Sequence, residues 1–318
     1  MVDLAALPDD PDAVARAVRA LMPAFRRQAR LALAVMALSA AFAATAVLVA
    51  LGSGLETRAL LKVVMVGVIG LGLVVVAARR WAVRRQEVAV MSILARSIGL
   101  THAKDASAFV RSLPKRLLPE RSLRKGEDHI HGTLGAHAIE MAEVTAETGG
   151  KSSRILFRGI VARFPNRTAM PAFFIALADD TRSGLFSGAN LSTEGLHHRR
   201  DVAVGQRSYG IWTSSKDGPE PPALSAVIGI LTGLETVVPG AQLYAATSNG
   251  EVIHVALTHG RNLFRVGGLF PGEDRIFADV QAALRDLAAP LSLANALIQA
   301  EAAAAQKLRG RESPPATP

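Results

Sequence analysis

His129, His131, His137, Glu140 and Glu143 stand close together in the sequence. Imidazole and carboxylate are the ligand types of a zinc site. Side chains alternate along a strand, so His129 and His131 share a face, and His137 shares one with Ile139 and Met141. The second face therefore reads as partly core. The segment reads first as a polar strand start, with metal binding at His129 and His131 left open. His197-His198-Arg199-Arg200 reads as a solvated basic loop, and Asp179-Asp180 as a turn former rather than an acid–base pair. Ser153 and Ser187 lack the G-x-S-x-G setting of an activated nucleophile. The glycines of Gly67-Val68-Ile69-Gly70-Leu71-Gly72 lie near dinucleotide spacing, but inside an apolar run with no strand before it. Gly149-Gly150-Lys151 lacks the upstream glycine of a phosphate loop. Cysteine is absent, which excludes disulfides, thiolate metal sites and cysteine nucleophiles. These residues assign no catalytic group and no cofactor.

The elements that position them begin with two apolar runs. The 318 residues are 50% apolar and 20% charged, with a mean hydropathy of +0.26. The apolar residues are concentrated rather than spread. Leu31 to Leu51 carries no charge and spans roughly 31 Å as a helix, enough for a bilayer core. Leu60 to Ala78 carries only Lys62, whose long side chain can snorkel to the headgroups. A short connection through Gly52, Ser53 and Gly54 joins them, which predicts a two-helix transmembrane hairpin with spans 31–51 and 60–78. A signal peptide fits poorly, because Asp3, Asp9, Asp10 and Asp12 precede the first run and a second run follows.

Cations set the expected orientation. Arg26, Arg27 and Arg30 precede the first span, and Arg79, Arg80, Arg84 and Arg85 follow the second. Trp81 falls at the interface. The positive-inside rule then puts both termini in the cytoplasm. Abundant alanine and an excess of arginine over lysine suggest a high-GC bacterial genome and hence the inner membrane. These nine residues, Arg26, Arg27, Arg30, Lys62, Arg79, Arg80, Trp81, Arg84 and Arg85, are the expected lipid contacts.

Residues 1–30 read as an amphipathic segment, with Val14, Val18, Leu21 and Phe25 at helical spacing and Pro23 bending it before the membrane. Residues 79–126 read as a juxtamembrane helix, with Val83, Val90, Ile93, Leu94 and Ile98 as its stripe and Gly99 as its stop, then a basic linker from Lys104 to Lys125. Residues 127–308 read as a cytoplasmic α+β domain. Alternation predicts strands at His129–Leu134, His137–Val144, Ser153–Phe164, Ala172–Leu177 and Tyr209–Thr213. Pro221–Val238 reads as a helix. Asn249-Gly250 marks a hairpin between Gln242–Thr247 and Glu251–Leu257. Asn262–Gly267 reads as one more strand, and a last helix starts near Glu273, with Pro290 interrupting it. The strands are expected in two groups separated by one helix, and residues 309–318 as a disordered tail. The fold class is thus α+β: an N-terminal transmembrane hairpin, then antiparallel strands with packed helices.

This arrangement resembles the bacterial membrane proteins of "domain of unknown function 3137". The resemblance runs over about residues 25–290. It is carried by the two-span hairpin, Asp128…Gly132…Gly135…Ile139…Glu143, Phe157-Arg158-Gly159, Tyr209-Gly210-Ile211-Trp212 and the Asn249-Gly250 hairpin leading to Asn262-Leu263-Phe264. Arg265 stands where the family pattern often has an acidic residue. The resemblance implies an anchored α+β module and brings no catalytic residues.

The net charge of +9 points to anionic partners. Aromatic residues for base stacking are few, with Trp 2 and Tyr 2, which ranks membrane lipids above nucleic acid. The expected function is that of a protein- or lipid-binding accessory or scaffold, with a ligand sensor or enzyme as the alternative. A pocket lined by His129, His131, Glu143 or Asp179 would favour the alternative. A shallow apolar patch with a basic rim would favour the binding module.

Overall fold

The computed structural model describes residues 11–53, 56–134, 137–150, 153–166, 171–178, 191–204, 207–216, 220, 222–232, 242–258, 263–264, 266 and 272–312. These fall into two compact units. A helical unit holds residues 11–94 and 264–283, and a sheet unit holds residues 95–263 and 284–312.

In the helical unit, α1 (Pro11–Gly52) and α2 (Thr57–Ser97) each exceed forty residues. The expected bend at Pro23 does not end α1, which runs through it. Proline removes one backbone hydrogen bond, but Val18, Met22 and Phe25 are buried on either side and hold the helix together. Their stripe continues through Val14, Ala29 and Ala32, and Met22 rather than Leu21 lies on it. Beyond the apolar run, α2 buries Ala82, Val90, Met91 and Leu94, while Val83, Ile93 and Ile98 are half-buried. The start of α5 (Glu273–Glu312) adds Ile276, Val280 and Ala283. Arg19 ties α1 to α5, with its Nε 3.0 Å from Glu273 Oε1 and its guanidinium 5.3 Å from the Phe277 ring centre.

The sheet unit starts earlier than the sequence suggested. The basic stretch from Lys104 to Lys125, expected as a linker, supplies the end of β1 (Leu100–Asp105), α3 (Ser107–Ser112), a 3-10 turn (Lys115–Leu117) and the start of β2 (Leu123–Leu134). Next come β3 (His137–Glu147), β4 (Ile155–Pro165), β5 (Phe173–Leu177), β6 (His197–Val204) and β7 (Arg207–Thr213). The chain continues through α4 (Pro222–Thr232), β8 (Gln242–Ser248) and β9 (Val252–Thr258). His197–Arg200 is therefore strand rather than loop, because β6 pairs along β7. Leu263 and Phe264 form a bend, not a strand, with Phe264 at φ 56°. Pro290 does not interrupt α5, whose buried Leu287, Leu291 and Leu293 hold both sides of it. The helix also takes in Arg309–Glu312, four residues of the expected tail. Gly135-Ala136, Asp179-Asp180, Ser187, Pro239-Gly240 and residues 313–318 lie outside the described residues.

The strands do not form two groups. They make one antiparallel sheet in the order β1-β2-β3-β4-β9-β8-β5-β7-β6. The β8–β9 hairpin, last in sequence, lies in the middle and joins the early strands to the later ones. Its turn is closed by Asn249, whose Oδ1 accepts the backbone N–H groups of Glu251 and Val252. One face packs Ala142, Val144, Ala146, Phe157, Val161 and Ala256 beneath Phe109, Val110 and Leu117. The other buries Ile130, Ile139, Met141, Ile160, Ile253 and Val255.

Gly159 sits at the junction of β4 and β9, opposite Thr258. A Cβ there would overlap the Leu257 carbonyl. Gly159→Ala should therefore force the central strands apart and lower unfolding stability by about 3 kcal/mol. Gly149→Ala, in open space, should change little. Denaturant titration of both variants checks this.

Candidate functional site

The polar residues of the sheet fall into two clusters, and a β-bulge decides which residue joins which. Glu127 pairs with Glu143 and Ile130 with Met141, so β2 carries one extra residue between them. Asp128 takes φ 55° at this point. The bulge reverses the alternation of β2. It turns His129 and His131 to the face of Phe109, and it leaves Asp128 beside β1.

On the Phe109 face the register places His131, Glu140, Arg163, His254 and Thr247 side by side on five neighbouring strands. Arg163 Nη2 lies 2.6 Å from Glu140 Oε1, and His129 Nε2 lies 3.7 Å from Glu140 Oε2. Phe109, His129 and His131 stack in series, with ring centres 5.3 and 4.7 Å apart. The Arg163 guanidinium sits 5.8 Å from the Phe109 centre. Burial lowers the His129 pKa, helped by His131. Burial also pushes His254 down to about 4, with Arg163 adding to the effect. On this face His129 and His254, both shifted down, thus lie around an arginine–glutamate pair. His129 and His131 share a face as the alternation predicts, while His137 lies on the other side of the sheet with Ile139 and Met141. Among the described residues no three His, Asp or Glu side chains converge as a metal site.

On the opposite face Asp128 is buried. It accepts hydrogen bonds from His102 Nε2 at 2.9 Å and from Lys104 Nζ at 2.9 Å. Lys104 also reaches Glu127 Oε2 at 3.0 Å. The sequence singles out Lys104 only as the first cation of a basic linker and does not single out His102, because β1 falls between the expected juxtamembrane helix and that linker. Glu143 is buried nearby, and its Oε1 accepts the Leu263 backbone N–H at 3.3 Å. Burial raises its pKa to about 8. The Leu263 hydrogen bond opposes the rise, and Asp128 and Glu127 add to it. Glu143 and the His129–His131 pair therefore lie on different faces and line no common pocket. Asp179 lies outside the described residues.

The other sequence candidates have structural roles. His198 pairs with Asp201 at 2.8 Å, and Arg200 makes two hydrogen bonds with Glu220, at 3.0 and 3.1 Å. Ser153 donates to Glu147 and to the Thr148 carbonyl. Gly67 lies inside α2, where a Cβ would sit 3.9 Å from Ala43 Cβ.

In the helical unit, Arg26, Arg27, Arg30, Lys62, Arg79, Arg80, Trp81, Arg84 and Arg85 are all exposed. The Arg85 guanidinium stacks 4.8 Å from the Trp81 ring centre. Between them lies an apolar band. Leu38, Phe42, Leu48, Leu61, Val66, Val68 and Leu73 are each more than two-thirds exposed or close to it. A groove of about 830 Å³ runs between α1 and α2, lined by Leu38, Phe42, Val66, Gly67 and Leu71, with Lys62 also in its wall.

Glu143 makes a sign-definite prediction. Its folded pKa, about 8, lies above the ordinary 4.5. Wild-type stability should therefore fall as pH rises from 4.5 to 8, by at most ~1.4 kcal/mol per pH unit. Glu143→Gln keeps an acceptor for Leu263 and should remove this slope, matching wild type near pH 4.5 and exceeding it at pH 8.5. Chemical denaturation across that range measures the difference.

No family model matches the chain, and no curated protein matches it. Among solved structures it resembles the crystal structure of the mycobacterial trehalose monomycolate transport factor A, TtfA, at 9% identity and a TM-score of 0.31. The match covers 63% of this chain and 90% of that one. The likeness assigns no activity to this chain.

Proposed function

We propose that α1 and α2 insert in a bilayer as a hairpin over residues 31–51 and 60–78, and that the sheet unit works at the cytoplasmic surface as a lipid- or protein-binding accessory module. One observation carries this reading. The most apolar 18-residue windows of the two helices are only 6% and 0% buried within the protein. A core helix of a soluble protein would be mostly covered. Apolar side chains on this scale in water cost about 25 cal/mol per Å², and exposed patches beyond a few hundred Å² mark interaction or membrane surfaces.

The cations support the orientation. Arg26, Arg27 and Arg30 flank one end of the apolar band, and Arg79, Arg80, Arg84 and Arg85 return to the same flank after α2. The linking segment has Arg58 and Lys62 against Glu56. Both termini then face the cytoplasm of a bacterial inner membrane. Membership of the "domain of unknown function 3137" family belongs to the same proposal. Lipid ranks above nucleic acid as partner, since Tyr209, Tyr244 and Trp212 are buried and offer no platform for bases.

Two experiments test this. Ile69→Asp, at mid-span, should reduce insertion by ~3 kcal/mol on a translocon scale, read as a lower inserted fraction in microsomes. No change would contradict the span. A reporter active only outside the cytoplasm, fused after residue 310, should stay silent. Activity there would overturn the orientation.

A further inference from the structure

Among the described residues outside the helical unit, two large apolar side chains are conspicuously exposed: Leu123 at 57% and Ile155 at 48%. They are not scattered. Leu123 of β2 pairs with Glu147 of β3, and Glu147 pairs with Ile155 of β4. Both therefore occupy one end of the sheet, about 10 Å apart across three strands. The next row inward is Lys125, Thr145 and Arg158, again on β2, β3 and β4. Arg121 and Arg154 are exposed at the same end. The one carboxylate between the aliphatics, Glu147, is held by Lys125 Nζ at 3.1 Å and by the Ser153 hydroxyl at 3.2 Å.

We infer that this end of the sheet docks on an anionic lipid surface, with Leu123 and Ile155 entering the acyl boundary and Arg121, Lys125, Arg154 and Arg158 resting on the phosphates. The spacing supports it. Two residues along a strand advance about 6.5 Å, so the cationic row lies behind the aliphatic tips by the depth to which interfacial segments enter a bilayer, about 5–10 Å. The charge supports it too, since Arg121, Arg154 and Arg158 stand at this end beside a Lys125–Glu147 pair and one further exposed acid, Glu120. Two side chains give too little apolar area for a stable protein interface, which needs about 800 Å² per partner. Near a charged surface each cation contributes roughly fivefold in binding. This inference deepens the proposed function and rests on its bilayer being present.

Because the chain has no cysteine, single thiols report position directly. Full-length protein carrying Leu123→Cys, Ile155→Cys, Ala138→Cys or Ile69→Cys is labelled with an environment-sensitive dye. It is then reconstituted in vesicles of phosphatidylcholine alone, or with phosphatidylglycerol added, containing a lipid-borne quencher. Ala138 is exposed at the other end of β3. The expected result is quenching at 123 and 155 only in the anionic vesicles, reversed by high salt, with position 138 unquenched. Arg154→Gln and Arg158→Gln should each lower the docked fraction about fivefold. No quenching at 123 and 155, equal quenching in neutral vesicles, or burial of these probes in detergent with a doubled mass would each overturn the inference; the last would assign the patch to a second copy. The Ile69 probe separates the two readings. If it is quenched while 123 and 155 are not, the docking fails and the anchor stands. If it stays unquenched in both vesicle types, the anchor itself fails.

Discussion

A single buried carboxylate sets the phase of the sheet. Asp128 sits in a left-handed conformation inside β2 and is held by His102 and Lys104 of β1. A buried ion pair contributes less to net stability than its geometry suggests, because desolvation offsets much of the attraction. Its larger effect here is on register. The extra residue turns the second half of β2 over, so that Ile130 faces Met141 and the apolar side of β3 while His129 and His131 move to the Phe109 side. Without the bulge, the histidines would fall on the side of Glu143 and the isoleucine would fall among polar groups. Asp128 is held by both His102 and Lys104, and Lys104 also reaches Glu127, so the contacts tie β1 to β2 at the bulge.

The two faces that result have different chemistry. One carries Glu143, whose charge is costly, its pKa raised to about 8 by burial, with Asp128 and Glu127 adding to the rise. The other carries His129 and His254, whose pKa values burial lowers, His254 to about 4 beside Arg163. Among the described residues, no three His, Asp or Glu side chains on either face converge as a metal site. The polar rows instead satisfy one another across strands. Arg163 joins Glu140 to Ser112 and lies on Phe109, and so links the sheet to α3.

The helical unit answers to another constraint. Its inner parts are ordinary protein, with buried stripes on α1, α2 and the start of α5. Its apolar band is not covered by any of these. An anchored reading accounts for both halves, since the cations that bound the band coincide with the places where burial resumes, near Ala29 and Ala82. An anchor also changes what the sheet unit needs for lipid contact. Tethering would raise the effective concentration of a surface patch to the millimolar range, which is what the proposed docking of a patch as small as Leu123 and Ile155 requires.

Local patterns in the sequence were enough to place most elements. The Asn249-Gly250 turn, the alternation in β3, β4, β5, β7, β8 and β9, and the long apolar runs of α1 and α2 are each written in neighbouring residues, so period and turn chemistry reveal them. The amphipathic start of α1 was legible too, though Met22 replaced Leu21 on its stripe. The sequence did not reveal β1, where Thr101, His102 and Lys104 lack apolar alternation and form a strand only because β2 lies alongside. It did not reveal β6, whose His197–Arg200 looks solvated until β7 pairs with it. Pro290 reads as a break, but burial on both sides outweighed one lost hydrogen bond. Two features were decided by tertiary structure alone: the insertion of the last hairpin between β4 and β5, and the bulge that sends His129 and Glu143 to opposite faces. Strand order and register depend on pairings between residues far apart in the chain, and no local pattern records which distant edge a strand will meet.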